Sequence, residues 1–132
     1  MSPDGEVILP IEYDIIKPFS EGLMGVSKNN KFAFLNSKFK VVIPFRYDDV
    51  GFFHNGLVEV EKKHKYGVIN KKNKTVIPFI YGYMSYDYEY KVYLVTKDLE
   101  KYGYIDRKGK VLVPLKYDSD KAAELLAKKM KK

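Results

Sequence analysis

Val42-Ile43-Pro44-Phe45-Arg46-Tyr47-Asp48 is one of four versions of the same phrase. The others are Ile8-Leu9-Pro10-Ile11-Glu12-Tyr13-Asp14, Val76-Ile77-Pro78-Phe79-Ile80-Tyr81-Gly82 and Leu112-Val113-Pro114-Leu115-Lys116-Tyr117-Asp118. Prolines and tyrosines step by 34, 34 and 36 residues. A fixed period of this size marks a repeat architecture in which each unit is one supersecondary structure. The chain divides into units at about residues 5–40, 41–74 and 75–110, a partial unit at 111–118 and a closing segment at about 119–131. At 132 residues with 45% hydrophobic content, these units are expected to form a single β-repeat domain around one core.

Each unit reads as a three-stranded antiparallel meander. The phrase supplies the first strand, a short apolar run ended by a proline that has no N–H for a ladder. After it, apolar residues at steps of three (Tyr13, Ile16, Phe19; Tyr47, Val50, Phe53) suit a helical turn or compact loop plugged onto the sheet. Gly22-Leu23 and Gly56-Leu57 open the second strand, where apolar and polar residues alternate. The third strand carries Lys31-Phe32-Ala33-Phe34-Leu35, Lys65-Tyr66-Gly67-Val68-Ile69 or Lys101-Tyr102-Gly103-Tyr104-Ile105. Its very small central residue predicts a close approach by another part of the chain. Asn36, Asn70 and Asp106 then begin tight hairpins, since Asn and Asp bond the backbone two residues on. Phe39 breaks the pattern where Asn73 and Gly109 can accept positive φ, which predicts a strained or differently built turn or an exposed contact point. Overall this is an all-β array of about ten strands, an open curved or barrel-like array.

The chain ends in good helix formers, with Asp or Ser to cap them and lysines suited to a helix C-terminus. Its stripe of Ala122, Leu125, Leu126 and Met130 either covers the open end of the last sheet, as capping elements do in repeat proteins, or meets a partner or membrane surface.

Composition narrows the function classes. The chain has no cysteine, so disulfides and thiolate chemistry are excluded. No apolar run reaches the length of a membrane span, and the start shows no signal peptide, so a cytoplasmic protein without membrane association is expected. The net charge of +7 suggests nucleic acid, yet of 24 basic residues only Arg46 and Arg107 are arginines, the side chain suited to bidentate phosphate and base contacts. His54 and His64 have no counterparts in other units, and no catalytic motif or metal-ligand spacing is present, so the expectation is no enzyme, no metal and no cofactor. The repeated Asp14, Asp48 and Asp118 read as turn-formers at strand exits.

The succession of apolar pair, Pro, Tyr-Asp, Gly-Leu, strand, Lys-aromatic-Gly, Ile-Asp and Lys-Gly-Lys resembles the WG (KWG) repeats of bacterial proteins, from Glu6 to Asp118. Phe32, Tyr66 and Tyr102 stand where that family has its tryptophan, and Ala33 where it has the following glycine. The resemblance implies a β-repeat scaffold without common catalytic residues, acting in molecular interactions.

The third unit departs most from the pattern. Asp87 aligns with the plug phenylalanine and Tyr90-Lys91 with Gly-Leu, within Tyr81-Gly82-Tyr83-Met84-Ser85-Tyr86-Asp87-Tyr88-Glu89-Tyr90-Lys91-Val92-Tyr93. Tyrosine offers large contact area at small entropy cost and a hydroxyl for the rim. Tyr83, Tyr86, Asp87, Tyr88, Glu89, Tyr90, Lys91 and Tyr93 are therefore the candidate partner-binding residues, unless the tyrosines pack against sheet or helix. The expected function is a non-catalytic macromolecular binding module for a protein partner, in one form an inhibitor or immunity-type protein that blocks an enzyme. Nucleic-acid binding by a lysine face and carbohydrate binding by the tyrosines are the alternatives.

Overall fold

The structure is a computed structural model and describes residues 12–131. The first version of the phrase, except Glu12, Tyr13 and Asp14, lies outside them. Twelve strands form three four-stranded antiparallel sheets, each a simple meander. The first sheet holds β1 (Ile15–Ser20), β2 (Leu23–Lys28), β3 (Lys31–Leu35) and β4 (Val41–Tyr47). The second holds β5 (Asp49–Val50), β6 (Leu57–Lys62), β7 (Lys65–Asn70) and β8 (Thr75–Tyr81). The third holds β9 (Tyr83–Asp87), β10 (Val92–Thr96), β11 (Tyr102–Ile105) and β12 (Val111–Tyr117), followed by α1 (Ser119–Met130).

The repeated antiparallel meander and the helix are as expected, and the sheets are open. Three corrections concern the strands. The plug is itself a strand (β1, β5, β9), which gives four strands per sheet and twelve among the described residues alone, where about ten are expected for the chain. The phrase closes a sheet as its last strand. The step-of-three spacing that suggested a helical turn comes from an irregular strand: Ile16 faces Val26 and Phe19 faces Met24, so β1 carries one residue more than β2 between those pairs.

The proline does not end its strand. In β4, Ile43 faces Phe34 and Tyr47 faces Phe32, so the short step from Phe32 to Phe34 is matched by the longer step from Ile43 to Tyr47. Pro44, Phe45 and Arg46 bulge out of an edge strand, where a missing N–H costs no ladder bond. The same bulge recurs opposite Gly67 and Gly103. There the predicted close approach is found: a Cβ on Gly67 would lie 2.8 Å from the Ile77 carbonyl oxygen and 2.9 Å from the Phe79 ring. A Cβ on Gly103 would run into the Val113 carbonyl and the Pro114 backbone still more closely.

The apolar cores lie between successive units. Phe34, Ile43 and Tyr47 of the first sheet pack with Val50, Phe53, Val58, Val60 and Ile69 of the second. Val68, Ile77 and Tyr81 of the second pack with Met84, Tyr86, Tyr93, Val95 and Ile105 of the third. At the far end α1 takes the place of a further unit: Ala122 and Leu126 are buried against Val92, Tyr104 and Val113. Leu125 packs partly and Met130 stays exposed. Asp118 caps the helix by accepting the Lys121 N–H at 2.7 Å.

Turn chemistry follows the sequence closely. Asn36, Asn70 and Asp106 accept N–H bonds from the residues two and four positions on. Phe39 builds the same turn as Asn73 and Gly109, with φ of 60°, 62° and 92° respectively, so it is strained and not differently built. Its ring packs near Phe19 and the Met24, Val26 and Leu35 cluster. Glu21-Gly22 and Asn55-Gly56 make two-residue hairpins with positive φ throughout, the geometry that matches strand twist.

Crowding at the small residue should show in stability. Gly103→Ala is expected to cost about 3 kcal/mol or more, and Gly67→Ala about 1–3 kcal/mol, because the first unit accommodates Ala33 at the same place. Denaturant unfolding of the two variants measures the difference; equal and negligible losses would contradict the tight bulge contact.

Candidate functional site

In the third unit Asp87 faces Val92 and Tyr86 faces Tyr93. Because Phe19 faces Met24 in the first sheet, the plug position belongs to Tyr86 and not to Asp87. The third unit therefore keeps its core aromatic residue and loses only the bulge of its first strand. The space between Asp87 and Val92 holds four residues, Tyr88 to Lys91, where the first sheet needs only Glu21 and Gly22. The Asp87 carboxylate accepts the Glu89 and Tyr90 N–H groups, both at 2.9 Å, and its carbonyl accepts the Lys91 N–H at 2.8 Å. Lys91 supplies the positive φ, 58°, that glycine supplies in the other units.

The candidate residues separate accordingly. Tyr86 (9% exposed) and Tyr93 (0%) are core, which removes them from a contact surface. Tyr90 is half-buried against the cluster under α1. Tyr88 (69% exposed) and Tyr83 (42%) are open, with Glu89 and Lys91 exposed and Asp87 half-buried. Tyr83 stands edge-on to Tyr66, ring centroids 6.1 Å apart. The two groups differ because residues alternate faces along β9 and β10, whereas Tyr88 lies in the loop.

Sequence reasoning missed a polar cluster behind this loop. His54 Nε2 lies 3.0 Å from Glu59 Oε1, and the imidazole lies against Tyr86, 3.6 Å between centroids, with Tyr88 at 5.6 Å and Tyr93 at 6.3 Å. Arg107 Nη2 donates to the His54 carbonyl at 3.1 Å and the Asn55 carbonyl at 2.6 Å, tying the third unit to the hairpin of the second. Lys71 does the same one unit earlier, donating to the Glu21 carbonyl at 3.1 Å. Among the described residues, His54 Nδ1, the Tyr86 and Tyr93 hydroxyls and Arg107 Nε are buried without hydrogen-bond partners. At the corresponding seam between the first two units these two core positions are apolar, Phe53 and Val58 where this one has Tyr86 and Tyr93. The available signal was that His54, Glu59, Tyr86, Tyr93 and Arg107 are each polar where at least one other unit is not or is smaller.

Burial pushes the Glu59 carboxyl up to about 6. Burial, with the Arg107 cation adding to it, holds His54 below its ordinary value. At neutral pH the pair is thus a neutral imidazole donating to a desolvated carboxylate, and not an ion pair. On its other side Glu59 lines a small cavity of about 100 Å³ with Asp49, Val50, Gly51 and Tyr66. Asp49 is already paired with Lys17 at 3.1 Å. Burial, then the Glu61 and Asp49 charges, raises the Tyr66 phenol.

Among the described residues no group of three or more His, Asp or Glu side chains could hold a metal ion, and no helix is long and apolar enough to cross a membrane. The fold defines an all-β repeat scaffold of three antiparallel meanders with a terminal helix. The family model for the WG containing repeat matches residues 1–32, 32–66, 66–98 and 102–119, and the chain belongs to that family. No curated protein and no solved structure matches it.

Two outcomes test the site. Glu59 has a folded pKa above its unfolded value, so its contribution to stability is full below about 4.5 and is lost as pH rises through about 6. Glu59→Gln should therefore gain about 1–2 kcal/mol on the parent at pH 7.5 and nothing at pH 4, in paired urea melts. Tyr86→Ala should lose about 3–5 kcal/mol as a core truncation, while Tyr88→Ala changes the melt by under about 0.5 kcal/mol.

Proposed function

We propose that this domain binds a protein partner through the third-unit hairpin, using Tyr83, Tyr88 and the charged Asp87, Glu89 and Lys91 beside them. The carrying observation is Tyr88: a ring 69% exposed at the tip of a loop that is ordered by the Asp87 carboxylate and backed by His54 and Tyr86. An exposed aromatic ring on a constrained support loses little entropy on binding, which is what an interface anchor requires. In its narrower form, the domain acts by occupying the surface of an enzyme and so inhibits it. The nucleic-acid reading has less support, since Arg107, one of the two arginines, is committed to the His54 and Asn55 carbonyls.

Affinity capture from the source cell with the parent domain and with Tyr88→Ala, read by mass spectrometry, tests the reading. A captured protein should bind the variant more weakly by about 1–3 kcal/mol. Capture indifferent to Tyr88→Ala and Tyr83→Ala, or recovery of nucleic acid alone with steep salt dependence, would overturn it.

A further inference from the structure

The cavity beside Glu59 becomes informative when the units are superposed by their period. Gly51, Glu59 and Tyr66 stand 34 residues after Lys17, Gly25 and Phe32. In the first unit that place is filled by the chain's own lysine. Lys17 Nζ lies 5.0 Å from the centre of the Phe32 ring and 5.9 Å from that of Phe52, 3.1 Å from the Asp49 carboxylate and within bonding distance of the Val50 carbonyl. Its stem passes the spot where a Gly25 Cβ would be, 3.8 Å from the Lys17 Cδ.

In the second unit the large and small residues are exchanged. Gly51 carries no side chain, and Glu59 brings a carboxylate to where the first unit has Gly25; its Cδ lies 3.1 Å from the position of a Gly51 Cβ. Tyr66 replaces Phe32 as the aromatic wall, with the half-open Tyr83 ring against it. A cavity of about 100 Å³ results. That volume equals roughly three waters, enough for an ammonium group and the last methylenes of a lysine stem. Among the described residues Glu59 has no lysine or arginine partner, only the His54 imidazole, and it is mostly buried. A desolvated carboxylate beside an aromatic face is favourable to a cation, because both groups attract positive charge and little water competes.

We propose that this cavity receives the ammonium group of a lysine side chain from the protein partner, in the manner in which the first unit holds Lys17. The proposal rests on the protein-binding reading and deepens it: Tyr83 borders both Tyr66 and the proposed contact surface, so one partner can reach the hairpin and the cavity together. The partner then presents a basic residue next to an apolar patch that meets Tyr83 and Tyr88.

The probe is N-acetyl-lysine methylamide, titrated into the 15N-labelled domain at pH 7.5 and followed by the amide resonances of Gly51, Glu59 and Tyr66. The neutral N-acetyl-norleucine methylamide serves as the control. Saturable shifts with a millimolar dissociation constant are expected from the lysine compound alone. They should weaken about tenfold or more in Glu59→Gln, which keeps the shape and removes the charge. They should vanish in Gly51→Lys, which supplies the missing lysine from within; its melt is checked against the parent, and Glu59→Gln carries the test if that variant does not fold. Equal shifts from norleucine, or undiminished lysine binding by Glu59→Gln, would overturn the cavity's assignment. Protein capture that needs Tyr88 yet ignores both Glu59→Gln and Gly51→Lys would leave the protein-binding reading standing and refute the lysine pocket. Lysine binding with no captured protein would support the cavity's chemistry and refute the protein-binding reading.

Discussion

The constraint on which this architecture depends is the bulge of each closing strand over a very small residue, Ala33, Gly67 or Gly103. Where Pro78 and Phe79 leave the ladder, the chain passes so close to Gly67 that a Cβ there would touch the Ile77 carbonyl. The bulge separates the two ends of the strand: Ile43, Ile77 or Val113 before it, and Tyr47, Tyr81 or Tyr117 after it, still pair with one third strand. It also directs the intervening Phe45 and Phe79 toward the tyrosine of the preceding phrase. Tyr13 stacks on Phe45 at 6.2 Å and Tyr47 on Phe79 at 6.3 Å, the same contact one unit apart. Proline suits the bulge because it has no N–H to lose there.

Placing the apolar cores between units has a consequence for the ends of the array. Each unit is completed by its neighbour, so the last face needs a substitute, and α1 supplies it with Ala122 and Leu126. At the other end, Ile16 and Phe19, whose counterparts Val50 and Phe53 are buried, are about half exposed among the described residues. Inter-unit ties at the surface repeat as well. The Glu21 carboxylate accepts the Asn55 and Gly56 N–H groups, and Lys71 and Arg107 each reach back to the turn of the preceding unit. The units are thus joined by apolar packing inside and by turn-to-turn bonds at the rim.

Within this regular frame the second seam is chemically different from the first. Burying the polar groups of His54, Tyr86, Tyr93 and Arg107 costs stability wherever such an atom lacks a partner. Local rules are most often broken where function requires it, and here the breaks gather at one seam, beneath the exposed Tyr88 and beside the Glu59 cavity. Tyr86 illustrates the double role: its ring fills the core as Phe53 does, while it also supports both His54 and Tyr88.

The repeat period, the all-β class, the hairpins begun by Asn36, Asn70 and Asp106, the tight approach at Gly67 and Gly103 and the capping helix were all legible in the sequence. Each depends on a local rule: a fixed spacing, a side chain that bonds its own backbone, or the absence of a Cβ. The fourth strand was not legible, because a bulged strand shifts its apolar residues from a period of two to steps of three and so imitates a helical turn. The assignment of Tyr86 and Tyr93 to the core was hidden for a related reason. A lost bulge and a longer hairpin loop nearly cancel in length, so counting residues aligned Asp87 with the phenylalanine that Tyr86 replaces. Only the strand register, which is settled by which faces can be buried against the neighbouring unit, decides between them. The meeting of His54, Glu59 and Arg107 lies further still from local pattern, since units 2 and 3 bring them together only by stacking. Sequence therefore determined what each unit is, and tertiary packing decided what the units enclose.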